Sequence, residues 1–305
     1  MKTKHKKLLE SYLDYLNVER NFSQNTVVSY KNDLGQFLSF LAENKISLQK
    51  LDRKSGRAYL AGLKSHDYKK SSIERKIAVM KSFYKFLIAE NIVKKTNFLY
   101  LRAPKKDKRI PSFLTQDEMD ALLDAPDDGT LFGLRDRTVF EVFYSTGIRI
   151  SELTNMRYND IDFFGETISI RGKGNKERIV PIGRNSLSVV KKYCDERNKK
   201  FKLNNRSFIF INRKGEHINV RSIRRIVEKY IKKVSIIKKI SPHTLRHTFA
   251  THLLNAGCDL KSVQDMLGHE SLTTTQNYTH VQIEKLKKDY IKAHPHSKGT
   301  KHYGY

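Results

Sequence analysis

The chain has 305 residues, enough for two domains with their own cores and no need of disulfide or metal staples. Its 59 Lys and Arg stand against 32 Asp and Glu, a formal net charge of +27 spread along the whole length, which points to a polyanionic partner, nucleic acid first. No apolar run approaches the roughly 18 residues of a membrane span, and the basic N-terminus MKTKHKKLLESYLDYL has no apolar signal-peptide core, so neither a membrane protein nor an exported one is expected. Cys194 and Cys258 lie in different segments and read as two free thiols, small buried hydrophobes in a reducing cytoplasm.

From Lys7 to about residue 100 the sequence reads as successive amphipathic helices. Val27, Tyr30, Leu34, Phe37, Leu38 and Leu41 share one stripe; Ile73, Ile77, Met80, Tyr84, Leu87 and Ile88 share another, which starts with Ser71 and Glu74 in capping-box register. Arg75, Lys76, Lys81 and Lys85 read as a basic outer surface, suited equally to solvation and to phosphate. The stretch LRAPKKDKRIP, residues 101–111, has two prolines, five basic residues and no periodicity, the marks of a linker. Beyond it Leu114, Thr115 and Glu118 restart a capped helix, and Leu131 to Tyr144 is expected as the central helix of a second core.

The strand signal is strong once. ETISIRGKGNKERIVPI, residues 166–182, has alternating Ile168 and Ile170, a Gly-rich turn at Gly172 to Asn175, then Ile179, Val180 and Ile182, a hairpin pattern. SFIFI, residues 207–211, reads as a third strand, and helical periodicity returns after residue 220.

Five places in the second half hold polar groups that packing does not require. In TGIRISEL, residues 146–153, a helix ends at Gly147 and another starts with Arg149, which Glu152 can orient from the same face; an ordinary surface pair has the same pattern. Lys173 sits in the turn RGKGNKER, where flanking glycines allow close approach to a ligand, with Lys176 and Arg178 as competitors for any role. In SPHTLRHTFATHLL, residues 241–254, His243 and Arg246 share a face beside a helix start that favours an anion. His247 raises a zinc reading, but Thr244 stands where a zincin has Glu, so phosphate is preferred. His269 follows a helix stop at Gly268, and Tyr278 lies among Thr, Gln and Asn with weak apolar support for its ring.

Arg149, Lys173, His243, Arg246, His269 and Tyr278, in this order and context, resemble the site of the tyrosine site-specific recombinases, the phage integrase family, in its XerC/XerD-like branch. The resemblance rests on TGIRISEL, GKGNKERIVPI, SPHTLRHTFATHLL, MLGHESLTTTQNYTHV and KAHPHS, and covers nearly the whole chain. It implies a mainly α fold: a SAM-like N-terminal helical bundle that binds core DNA, and a mainly helical catalytic domain with a small antiparallel β-sheet. The corresponding boundaries are residues 1–102, a linker at 103–111, catalytic residues 112–293 and a tail at 294–305, the two domains clamping duplex DNA.

The implied reaction is attack of the Tyr278 phenol on a DNA phosphodiester, giving a 3′-phosphotyrosyl link and a free 5′-hydroxyl. Arg149 and Arg246 clamp the non-bridging oxygens, His243 and His269 donate to them, His243 also accepts the phenol proton, and Lys173 protonates the departing 5′-oxygen. Glu152 holds Arg149 from behind. A site so rich in cations and short of carboxylates calls for no metal, no ATP and no other cofactor.

Partners implied are double-stranded DNA with a short inverted-repeat site and a homo- or hetero-tetramer built on it by exchange of the C-terminal helix, whose Ile283, Leu286 and Tyr290 share a face. The length leaves no room for the extra arm-binding domain of many phage integrases. That favours resolution of chromosome or plasmid dimers in the cytoplasm, on the nucleoid, a role resembling systems with two related recombinases and a septal DNA translocase. An integrase or transposase of a mobile element, a type IB topoisomerase and a non-catalytic DNA-binding regulator are the other readings.

Overall fold

A computed structural model describes residues 2–20, 22–94, 96–102, 112–172, 177–204, 207–238, 240–268 and 280–297. The chain divides into two compact units, Met1–Arg109 and Ile110–Tyr305. Among the described residues the architecture is mainly α, with twelve α-helices and one three-stranded antiparallel sheet.

Unit 1 is a helical bundle of α1 (Lys2–Val18), α2 (Gln24–Glu43), α3 (Arg53–Ser65) and α4 (Lys70–Ala89). Both expected stripes face its core: Leu34, Phe37 and Leu41 of α2 and Ile77, Tyr84 and Leu87 of α4 are buried with Tyr12 and Phe98. Helix α4 starts ahead of the expected cap. Lys69, with no capping side chain, is its N-cap, and the Lys69 carbonyl accepts from Ser72 and Ile73 at 2.8 and 3.1 Å, so Ser71 lies inside the first turn.

Lys76 is not on the outer surface. It is 3% exposed, as is Asp33, and its ammonium lies 2.8 Å from the Asp33 carboxylate, which also takes Arg75; Gln36 accepts a further bond. The helical period places position 76 on the same stripe as Ile73, Ile77 and Met80, and a buried ammonium there is stable only because α2 supplies an anion.

Unit 2 is arranged around α6 (Leu131–Thr146), buried continuously from Gly133 to Thr146. A helix covered on every side must be central, and α6 packs against α5 (Gln116–Asp124), α7 (Ile150–Asn155), α8 (Arg184–Phe201) and α10 (Pro242–Asn255). Thr115 and Glu118 form the expected capping box at α5. The segment entering this unit is tied to α10: the Leu114 amide donates to Thr248 Oγ1 at 3.0 Å and its carbonyl accepts from His252 Nε2 at 2.8 Å.

The hairpin forms as expected, with β2 (Thr167–Arg171) antiparallel to β3 (Glu177–Pro181), pairing Ile168 with Val180 and Ile170 with Arg178. The third strand is elsewhere: β1 (Ile161–Asp162) pairs with β2, whereas residues 207–211 make only isolated bridges. Arginines occupy the carbonyls that a ladder would use, Arg197 donating to Phe208 and Ile209 and Arg135 to Ile211. Cys194 and Cys258 are free and buried, and burial pushes both thiols up to about 11.

After α9 (Val220–Lys233) and α11 (Leu260–Leu267), α12 (His280–Ala293) lies on its own unit. Leu286 and Tyr290 are buried, and the Tyr290 and Ser145 hydroxyls are 2.7 Å apart. Residues 294–297, expected in the tail, are packed in as well: buried His294 donates from Nε2 to the Tyr144 carbonyl at 2.9 Å and accepts at Nδ1 from the His296 amide at 3.1 Å. This arrangement needs a neutral ring, and burial first, then the neighbouring His296 and His252, push its pKa down to about 3.

Two measurements by hydrogen exchange follow. Asp33→Ala leaves the Lys76 ammonium buried, and protection of α2 and α4 should fall by about 3–5 kcal/mol; a fall under about 1 kcal/mol would show the pair to be energetically idle. Undocked His294 binds a proton from about pH 6.5 downward while the docked ring stays neutral to about 3. Protection of residues 286–297, corrected for intrinsic rate, should therefore drop by about tenfold per pH unit below 6.5, and a flat profile would contradict the buried neutral ring.

Candidate functional site

The site is built from four helix termini and one strand. Helix α6 ends on Gly147 in the left-handed region, φ 58°, with the Phe249 ring pressed against the place where a Cβ would stand, so this position needs glycine for both conformation and space. The reversal makes Arg149 the N-cap of α7 and turns the Gly147 carbonyl toward Arg246, which donates to it at 2.8 Å. Arg246 lies in the early turns of α10, whose start is fixed by the Ser241–Thr244 capping box and Pro242. His243, one turn earlier on the same face, is exposed, and His247 stands edge-on to the Phe113 ring at 6.4 Å. Among the described residues no group of three His, Cys, Asp or Glu is placed to hold a metal.

Glu152 is the centre of the cluster. Oε1 accepts from Arg149 Nη1 at 2.9 Å and Arg178 Nη1 at 2.8 Å; Oε2 accepts from the Arg149 amide at 2.7 Å and Arg178 Nη2 at 2.8 Å. Burial opposes its charged form, but the bonds from Arg178 and Arg149 outweigh that and hold the carboxyl below its usual range.

Three arginines close on the end of α11. Arg178 donates to the Met266 carbonyl at 3.0 Å, Arg246 to that of Leu267, and Arg149 to that of Gly268 at 3.0 Å. The last carbonyls of a helix lack intrahelical donors and carry its negative end, so each of these bonds satisfies a real demand. One carboxylate nonetheless faces three guanidiniums. Burial, with the charges of Arg149 and Arg178, lowers the Arg246 pKa to about 10, so it stays a cation whose neighbours raise its appetite for an anion.

Structure thus brings together Arg149, Glu152 and Arg246, with His243 on the face of α10 that carries Arg246. Lys173, His269 and Tyr278 lie outside the described residues; in sequence Lys173 falls between β2 and β3, and His269 and Tyr278 fall between α11 and α12. Arg178 has a larger part than the sequence suggested. Strand parity was the available signal, since it alternates inward with Val180.

Residues 112–285 match the Phage integrase family, and residues 9–91 match its N-terminal SAM-like domain. The chain belongs to the phage integrase family. This integrase-family chain is 42% identical over 291 residues to the tyrosine recombinase XerC of Staphylococcus aureus (strain MSSA476), covering 95% of this chain and 97% of the relative. It shares its fold with a solved lambda integrase dimer bound to a COC' core site, TM-score 0.69 at 20% identity, covering 90% of this chain and 98% of that one. A XerH site-specific recombinase bound to a difH substrate has TM-score 0.66 at 23% identity, covering 87% and 80%. As a tyrosine recombinase, the integrase-family chain is an enzyme that breaks and rejoins DNA at specific sites.

The fork at Glu152 titrates. With its folded pKa below the ordinary 4.3 or so, its contribution is complete above that value and is lost as pH falls through the lower folded one. Glu152→Gln should therefore unfold well before the parent at pH 7, and the gap in thermal midpoint should narrow toward pH 3. A gap independent of pH would assign the loss to packing.

Proposed function

We propose that this recombinase cleaves DNA with Tyr278 as nucleophile and Arg149, Lys173, His243, Arg246 and His269 around the scissile phosphate. The Tyr278 oxygen bonds to phosphorus as the bond to the 5′-oxygen breaks; the phenol proton passes to His243, and Lys173 gives the 5′-oxygen its proton. Arg149 and Arg246 offset the charge that grows on the non-bridging oxygens, and the 3′-phosphotyrosyl link conserves the energy for rejoining. What carries this reading is the convergence of Arg149 and Arg246 on one helix end, three guanidiniums against the single carboxylate of Glu152. Such a surplus of fixed positive charge suits a phosphate.

The biological role proposed is Xer-like: resolution of chromosome or plasmid dimers on the nucleoid, at a short inverted-repeat site. Catalysis then runs in a tetramer assembled through the C-terminal helix, with a paralogous recombinase and a septal DNA translocase as further partners. The 42% identity to XerC over 95% of the chain favours that role over mobile-element integration. In the single chain α12 covers Ser145, so exchange requires that helix to leave its own unit first.

Trapping covalent complexes in cells and sequencing the DNA they carry tests the proposal. On a nicked duplex made from the recovered sequence, the parent should form an adduct that Tyr278→Phe cannot, chelator should have no effect, and Arg149→Ala or Arg246→Ala should slow adduct formation by about 10²–10³-fold. An adduct surviving Tyr278→Phe, or abolished by chelator, would overturn it.

A further inference from the structure

Arg178 is one of the best-buried charges in the catalytic unit, and the chemistry above makes no use of it. Its side chain is 7% exposed and that of Glu152 5%, so a phosphate does not reach the fork between them. All three guanidinium nitrogens are engaged: Nη1 and Nη2 on the two Glu152 oxygens at 2.8 Å, Nε on the Met266 carbonyl at 3.0 Å. A lysine, a single point of charge, cannot reproduce that fork. The end of α11 lies directly on this side chain. A Cβ at Gly268, whose φ is 63°, would stand 2.9 Å from Arg178 Cδ and Nε.

The one residue therefore joins three things: β3, which lies a few residues after Lys173 in sequence; the carboxylate that holds both the backbone and the side chain of Arg149; and the helix end from which the chain runs on to His269 and Tyr278. We propose that Arg178 is a positioning residue for the cleavage step, acting through Glu152 and the Met266 carbonyl to fix the aim of Arg149 and the register of the α11 terminus. Buried ion pairs return little net stability even when well made. Displacing a reacting group by an ångström, by contrast, costs about 10²-fold in rate. The proposal rests on the site reading above, because the aim of Arg149 matters only if Arg149 acts on the phosphate.

The test is single-turnover adduct formation on the nicked duplex made from trapped DNA, beside the Kd for the same duplex. Arg178→Lys should slow adduct formation at saturating protein by about 10²-fold while Kd stays within about threefold of the parent. Combined with Glu152→Gln it should lose little more than the worse single variant, because the two residues act as one unit. A parental rate for Arg178→Lys, a rate and affinity that fall together, or a multiplicative double variant would overturn the proposal. If Arg178→Lys does not fold, Glu152→Gln, nearly isosteric, must by itself show the loss of rate at parental affinity, and a parental rate there would be equally fatal. Failure of the site reading is separate: the parent then forms no adduct, or Tyr278→Phe still forms one.

Discussion

Unit 2 depends on how one carboxylate is satisfied. Glu152 accepts four N–H bonds, two on each oxygen, from two arginines brought in by different elements. A buried anion with fewer partners would cost several kcal/mol, so the start of α7, strand β3 and the end of α11 are tied to one geometry. The cost of burying a charge becomes the means of fixing direction. Arg149 leaves this arrangement half exposed, with its backbone amide and both terminal nitrogens already held.

Much of this was legible in the sequence, for reasons that differ by element. The α2 and α4 stripes, the Thr115–Glu118 box and the glycine stops at 147 and 268 are local, written within a few residues of where they act. The hairpin was legible because its alternation and turn are adjacent. Lys76 was read as outer surface and Arg178 as a competitor of Lys173, and their inward roles were hidden for a common reason: periodicity arguments count apolar residues, and a cation on an inward position is not recognised as buried unless its anion is known. Those anions, Asp33 and Glu152, lie 43 and 26 residues away. The segment at 207–211 failed similarly, since its composition suits a strand but its carbonyls go to Arg197 and Arg135. At the site, the closeness of Arg149 to Glu152 was readable from spacing. That Arg246 joins them was implied by family resemblance alone, because no local pattern links α10 to the end of α11.

The net charge of +27 also takes on a second meaning. A basic excess reads first as an electrostatic footprint for a polyanion, yet part of it works inside the protein. Arg135, Arg178 and Arg197 are buried, and each donates to a main-chain carbonyl that regular secondary structure leaves open. Arginine suits this task because its planar fork spans two acceptors and keeps its charge when partly desolvated. Counting Lys and Arg therefore overstates the surface available to nucleic acid, and only coordinates separate the two populations.

The tie between Leu114 and α10 has a mechanical side. Just past the proline-bearing stretch at 101–111, Leu114 is fastened through both amide and carbonyl to Thr248 and His252, on the helix that bears His243 and Arg246. A pull on Leu114 would be felt by that helix directly. Two hydrogen bonds thus act as a coupling pin between Leu114 and the helix that carries Arg246.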